Sequence, residues 1–524
     1  MSIPATSAPA VLPAGAPAPV RPHPRRWWML LVLCLSVLLV TIDNTIVNVA
    51  LPTLSRALTA STSHLQWIVD AYTLVFASLL LVAGHLGDRF GRRRVLQAGL
   101  ALFALTSLAA AQAGTTHELI AGRAAMGAAA ALIFPATLGL LSNIFTDPRE
   151  RATAIGIWSG VSGLAVALGP VGGGVLLEHF AWNSIFLVNV PLALVALAAG
   201  WRLPESRDLA PGRFDLGGAL GSISAVSVLV WTVIEAPDNG WSSATTIGGF
   251  VLTAALFAVF ITWETRRAHP LLDVRLFTNL RFSAASGAIT AAFFGLFGFI
   301  FLITQYFQSV RGYDTLTAGV ATLPFAIVTG TLSPVAILLM KRVGTTFVVA
   351  GGLALMSLGF GLAAGSGVDS AYWGRIVASM ILMASGLAFT AGPATDAIMG
   401  ALPRAKAGAG SAVNDTTREI GGTLGVAVVG SVMSSLYGSR LSDSLSALGV
   451  PATVIDSARQ SVVAGLSVTG QLPASVSATA TDAVRQAFMA GLRAGSLVAA
   501  GATAIAAMAV LIFLPARHRD EPTT

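Results

Sequence analysis

Residues 27–52 read WWMLLVLCLSVLLVTIDNTIVNVALP, and this stretch decides the fold. A helix rises 1.5 Å per residue, so roughly twenty residues cross a bilayer core. The stretch is long enough, and it carries a single charged side chain, Asp43. A carboxylate at the centre of a span costs about 2.5–3.5 kcal/mol on insertion scales. Asp43 must therefore face a polar interior or a partner. Thr41, Asn44, Thr45 and Asn48 cluster around it, and Asn44 and Asn48 share one helix face. Two readings stand: a functional intramembrane acid, or a buried tie between the first helix and a neighbour.

Working outward, the whole chain is 55% hydrophobic and 10% charged. Soluble domains carry about 25% charged residues, so this is a polytopic membrane protein. Fourteen apolar segments follow one another: 27–51, 64–86, 95–113, 117–141, 152–177, 184–203, 216–235, 245–264, 281–304, 317–340, 346–365, 372–399, 409–436 and 488–514. Most of the 31 lysines and arginines fall in alternate connections, from Arg25 and Arg26 through Arg89–Arg94 to Arg517 and Arg519. By the positive-inside rule both termini are cytoplasmic. That rule also accounts for the net charge of +7, and no nucleic-acid partner is implied.

The layout reads as six, two and six. Residues 1–26 form a disordered tail, 27–203 a first bundle and 204–280 an inserted helix pair with its loops. Residues 281–514 form a second bundle, with an outer loop over 437–487 read as a partly ordered hairpin, and 515–524 a second tail. Paired bundles around a midplane site are a transporter design. Cys34 is the only cysteine, which leaves no intramolecular disulfide. No phosphate-binding loop, metal-ligand spacing or cofactor motif stands in the sequence. ATP drive, a resident metal and an enzymatic reaction are not expected.

Three ionisable residues share one depth in the first bundle. Arg123 lies about two turns from the outer end of span 4, Asp70 about two turns into span 2, and Asp43 in the outer half of span 1. An unpaired buried charge is expensive, so an Asp43–Arg123 pair is expected, with Asp70 free for a proton or a cation. The connection after span 2, Gly84-His-Leu-Gly-Asp88-Arg89-Phe-Gly91-Arg92-Arg93-Arg94, fixes glycines and an acid at set offsets. Asp88 is expected to pair with arginines across a bundle interface. A plain basic anchor is the other reading. Span 5 carries Gly156, Gly169, Pro170, Gly173 and Gly174. This is a kinked, close-packing helix that serves as a hinge or seal, or packs tightly and no more.

In the second bundle Phe293, Phe297 and Phe301 form a stripe, an aromatic lining suited to lipophilic cations or a lipid-facing surface. Asp415 is spaced to meet Arg418 and Glu419 on one face. Asp43, Asp70, Asn48, Phe293, Phe297 and Asp415 are the candidate substrate contacts. Asp43, Asp70 and Arg123 are the candidate proton-coupling residues.

These motifs carry a resemblance. Thr41–Pro52 is similar to the first-helix signature of the fourteen-helix QacA/EmrB-type drug:proton antiporters of the major facilitator superfamily. Gly84–Arg94 resembles that superfamily's signature loop, and Leu119–Gly127 its helix 4 motif, whose Arg is tied to proton transfer. Gly156–Gly174 resembles the antiporter motif of helix 5, with Ala165 where that motif has Gly. Ala181–Pro191 and the stretch around Arg418–Gly422 also look familial. The matching loop of the second bundle, Met340–Gly344, lacks the Asp.

The resemblance implies an all-α major facilitator fold, alternating access, and proton-driven efflux of lipophilic, chiefly cationic, drugs from a bacterial cytoplasmic membrane. It implies a loop at Gly84, Asp88, Arg89, Gly91 and Arg92 that latches the inner gate, and a monomer in the lipid bilayer. A dedicated exporter of one natural product stays open, and so does a nutrient symporter.

Overall fold

The computed structural model describes residues 24–207, 215–267, 270–401 and 407–514. Among these, every regular element is a helix. The two tails and the connection carrying Arg404 and Lys406 fall wholly or largely outside the described residues.

The first half holds α1 (Arg26–Ala57), α2 (Thr62–Phe90), α3 (Arg92–Ala111), α4 (Thr116–Ile144), α5 (Pro148–His179) and α6 (Ser184–Gly200). Next come α7 (Leu216–Asn239) and α8 (Ala244–Arg266). Then follow α9 (Leu280–Val310), α10 (Thr315–Val343), α11 (Thr345–Ala364), α12 (Tyr372–Gly400) and α13 (Ala407–Ala447). Two short helices, α14 (Ala452–Arg459) and α15 (Val462–Thr469), lead to α16 (Ala474–Phe513).

Eleven of these helices are long and apolar enough to cross a membrane among the described residues. The count rises to 13 if α2 and α5, bent by 50° and 41°, each make one span, and α6 is a shorter apolar helix. The break in α5 falls at residue 167, three positions before Pro170. Proline there removes the hydrogen bond to residue 166 and its ring crowds that carbonyl.

Helix starts follow the sequence locally. Ser61 and Thr115 accept from the amides of His64 and Glu118, whose side chains reach back to the cap amides. Asp147 caps α5 ahead of Pro148 in the first turn. The turn between α2 and α3 passes through Gly91 at φ +105°, a conformation that L side chains resist. Gly344 repeats it between α10 and α11 at φ +94°, so the second half reuses the turn although its acid is gone.

In the first half α4 packs between α2 and α3, and α1 lies along α5. In the second half α9 packs on α13, and α11 on α12 and α16. Helices α7 and α8 pack together, and α7 rests on α2 and α13.

The 437–487 segment corrects the expectation of a hairpin. Helix α13 runs on to Ala447, α16 begins at Ala474, and α14 and α15 bridge them. Tyr437, Leu441 and Leu445 recur at four-residue spacing and are buried in one cluster with Ile455, Ala458, Val462 and Val484. That periodic apolar face holds a helix where composition alone reads as loop.

Candidate functional site

Asp43 and Arg123 are both fully buried, at 0% exposure. Arg123 donates from Nη1 to Asp43 Oδ2 at 2.6 Å. Its Nε donates to the Ile68 carbonyl at 3.1 Å, and its guanidinium lies 4.2 Å from the Tyr72 ring centre. The second oxygen of Asp43 accepts from Asn189 Nδ2 at 2.7 Å, and Asn189 also donates to Ser107 Oγ at 3.1 Å. Three helices, α1, α4 and α6, thus meet at one carboxylate, and α3 joins through Ser107. Both carboxylate oxygens are paired, while Arg123 Nη2 and Asn189 Oδ1 are buried without a hydrogen-bond partner; pairing is what makes buried charge tolerable. Sequence reasoning missed Asn189. Its signal was an amide inside the apolar run Ile185–Val190, where a polar side chain needs a partner.

Asn48 turns back on its own helix, donating to the carbonyls of Asn44 and Thr45. Asn44 Oδ1 is buried without a partner.

Asp70 sits in the seam between the halves. Four residues before it, Gln66 donates to the carbonyls of Val426 and Ala427 on α13. Three residues after it, Thr73 Oγ1 accepts from Thr423 Oγ1 at 3.0 Å. Positions i−4 and i+3 flank Asp70 on the same broad face of α2. It is buried, and neither carboxyl oxygen has a hydrogen-bond partner.

Further contacts join the halves at the same end. Gln308 donates to the Val49 carbonyl at 2.7 Å, and Thr315 to the Gly174 carbonyl at 3.2 Å. Thr62 donates through its amide to the Gln460 carbonyl, and Ser55 and Ser461 hydroxyls meet at 3.0 Å. All of these lie away from the arginine-rich ends of the helices.

The α5 motif divides its work. A methyl on Gly169 would strike Thr45, and one on Gly173 would lie 2.7 Å from Ile46 and Val49, all on α1. A methyl on Gly174 would lie 2.7 Å from the Thr315 carbonyl oxygen on α10, and the Pro170 carbonyl abuts Gly319. Gly156 has open space around it and takes no part in this packing.

The loop after α2 differs from expectation. Asp88 pairs with Arg92 at 2.8 Å inside the first half, and Arg92 donates onward to the Gly139 carbonyl of α4. Arg93 and Arg94 reach Glu205 at 3.6 and 3.7 Å. Arg89 lies over the Phe90 ring. Gly84 sits on α2 beside Pro135 of α4. The pairing keeps to one half because Asp88 and Arg92 bracket the tight Gly91 turn, four residues apart.

In the second half the expected Asp415–Arg418–Glu419 ion cluster does not form within 4 Å among the described residues. Arg418 leaves its own helix: Nη2 donates to Thr395 Oγ1 on α12 at 3.0 Å, and the guanidinium covers Phe293 at 5.3 Å. Asp415 accepts from Asn414 at 3.3 Å, and Glu419 Oε2 is buried without a partner. Phe293 and Phe297 stack at 6.4 Å, and Phe297 and Phe301 are buried. Methyls on Gly421 and Gly425 would meet the Thr290 and Phe294 carbonyls, so α13 lies close on α9 and brings Arg418 to the aromatic pair.

Comparison with known proteins places this geometry. The chain is 38% identical over 464 residues to the multidrug efflux pump LfrA of Mycolicibacterium smegmatis, covering 88% of this chain and 91% of that one. It is 37% identical to the methyl viologen resistance protein SmvA of Salmonella typhimurium, over 80% and 84% of the two chains. It is 34% identical to the tetracenomycin C resistance and export protein of Streptomyces glaucescens, over 82% and 79%. Its fold matches a solved bacterial homologue of the lysosomal transporter Spinster at TM-score 0.66 and 17% identity, covering 95% of this chain and 100% of that one. Residues 33–426 match the family description itself, and the chain belongs to the Major Facilitator Superfamily.

Proposed function

We propose that the chain is a proton-coupled exporter of lipophilic, chiefly cationic, drugs in a bacterial cytoplasmic membrane, of the fourteen-helix QacA/EmrB type. Counting α2, α5 and α6 as spans with the eleven others gives fourteen, in two bundles of six with α7 and α8 inserted. Both termini are cytoplasmic, and the arginine-rich helix ends face the cytoplasm. The hydrogen bonds joining the halves then lie on the outer side. Relatives named for multidrug efflux and for methyl viologen resistance, at 38% and 37% identity, support the reading.

The observation that carries the mechanism is the pair of unlike acids. Asp43 is locked by Arg123 and Asn189, whereas Asp70 has no partner and lies in the seam that must part when the outer side opens. Parting the seam wets Asp70 and lets it take a proton from outside. Re-closing buries it, which a neutral carboxyl tolerates better than a bare charge. Arg123, donating to the Ile68 carbonyl two residues away, links Asp43 to the same turn of α2. The Asp88–Arg92 pair and Arg89 serve the inner gate, and the α5 glycines with Pro170 seal the outer one. Each proton brings about 2.3 kcal/mol per 100 mV of membrane potential.

Inverted membrane vesicles, acidified inside and reporting through a pH-sensitive dye, test this. Adding ethidium should collapse part of the gradient, and the response should be lost in Asp70→Asn. Ethidium uptake without proton movement would remove the coupling. A relative named for tetracenomycin C resistance and export supports a second reading, a dedicated natural-product exporter. Silence toward a broad cation panel, with the protein present, would favour it.

A further inference from the structure

Phe293 and Phe297 offer a stacked aromatic surface, and one face is already taken. The Arg418 guanidinium lies 5.3 Å from the Phe293 ring centre. We infer that Arg418 is a resident cation on the face that a lipophilic cationic drug uses, and that loading displaces it onto the Asp415 carboxylate of its own helix. The inference rests on the reading of the chain as an exporter of such cations.

The tether of Arg418 is weak for a charged group at this depth. Nη2 reaches one neutral acceptor, Thr395 Oγ1, and Nε has no partner. No carboxylate lies within 4 Å of it among the described residues. One is in reach of a rotamer change: Asp415, three residues back on the same helix face. An incoming cation therefore replaces one cation–π contact with another. The displaced guanidinium gives up both the ring and the hydroxyl and is held by a carboxylate in exchange, so loading carries a cost on the scale of the lost cation–π contact. The swap needs no charge to be left bare. A neutral drug gains nothing by it and leaves Arg418 in place. Arg418 thus sets selectivity by charge.

The test is equilibrium binding of tetraphenylphosphonium, and of a neutral aryl phosphine of similar size, to the purified full chain at fixed pH. Arg418→Gln should tighten phosphonium binding roughly tenfold, the scale of one cation–π contact, and leave the neutral probe unchanged. Phe293→Leu should weaken phosphonium binding. In the double variant the gain from Arg418→Gln should fall below about twofold, since neighbours in contact couple in a double-mutant cycle. Arg418→Met repeats the measurement if the Gln variant loses its melting transition. A gain that survives without the Phe293 ring would reduce Arg418 to a distant charge and overturn the inference. So would unchanged or weaker binding in Arg418→Gln. Wild-type protein that binds no lipophilic cation would instead overturn the cation-export reading, and this inference with it.

Discussion

Asn189 donates at 2.7 Å to the Asp43 oxygen that Arg123 leaves free, across 146 residues of chain. The bond makes the N-terminal part of α6 a member of the ion-pair site. Asn189→Leu should strand that oxygen and cost about 1–3 kcal/mol. Coupled transport should fall with it. Thermal unfolding of the purified protein and vesicle transport check both outcomes.

Asp43→Asn leaves Arg123 charged, at 0% exposure, with no carboxylate. Breaking a buried pair from one side costs about 3–5 kcal/mol. The single variant should accumulate poorly, and adding Arg123→Met should restore yield without restoring transport. Equal yields of the single and the double variant would contradict the pairing energy.

Gly174→Val should force α5 from α10 at the Thr315 carbonyl, while Gly156→Val should be silent. With Cys34 replaced by Ala, a cysteine at Ser55 should label faster in the first variant only. Ser55 meets Ser461 across the seam, so its accessibility reports outer opening.

Gly91→Ala places a side chain at φ +105° and presses it against the Glu205 carboxylate. Strain of about 1–3 kcal/mol is expected from the backbone alone, read as a lower unfolding temperature. Gly344→Ala should behave alike, being the same turn in the second half.

Asp314 caps α10 in the connection before it, and the Thr317 amide, then its hydroxyl, hold the Asp314 carboxyl below the usual range. A depressed carboxyl adds stability above its unfolded value of about 3.9 and loses it as pH falls through the folded value. Asp314→Ala should therefore lower the unfolding temperature at neutral pH. Its gap from wild type should close in acid, as a pH series of melting curves would record.

Much of this was legible in the chain. Unbroken apolar runs mark the spans, and counting depth along spans 1 and 4 brings Asp43 level with Arg123. Pro170 announces the break in α5. Other features were not, because they depend on which helices become neighbours. Asn189 is one polar residue in an apolar run until α6 is set against α1. Arg418 has two acids within one turn of its own helix, yet it turns to Thr395 and Phe293, which local spacing cannot rank. Asp88 was assigned a partner across the interface, but the Gly91 turn places Arg92 nearer. The 437–487 segment looked like a loop because its helical face is built of Tyr437, Leu441 and Leu445 amid serines.

The seam has one more consequence. Gln66 donates to the carbonyls of Val426 and Ala427, Gln308 to that of Val49, Thr315 to that of Gly174, and the Thr62 amide to that of Gln460. In each case the receiving group is main chain, which every residue type supplies. Side chains at Val49, Val426, Ala427 and Gln460 can therefore change without removing these hydrogen bonds. Under antibiotic pressure such a lineage can rewrite those side chains while these closing hydrogen bonds persist, Gly174 excepted because any side chain there meets α10.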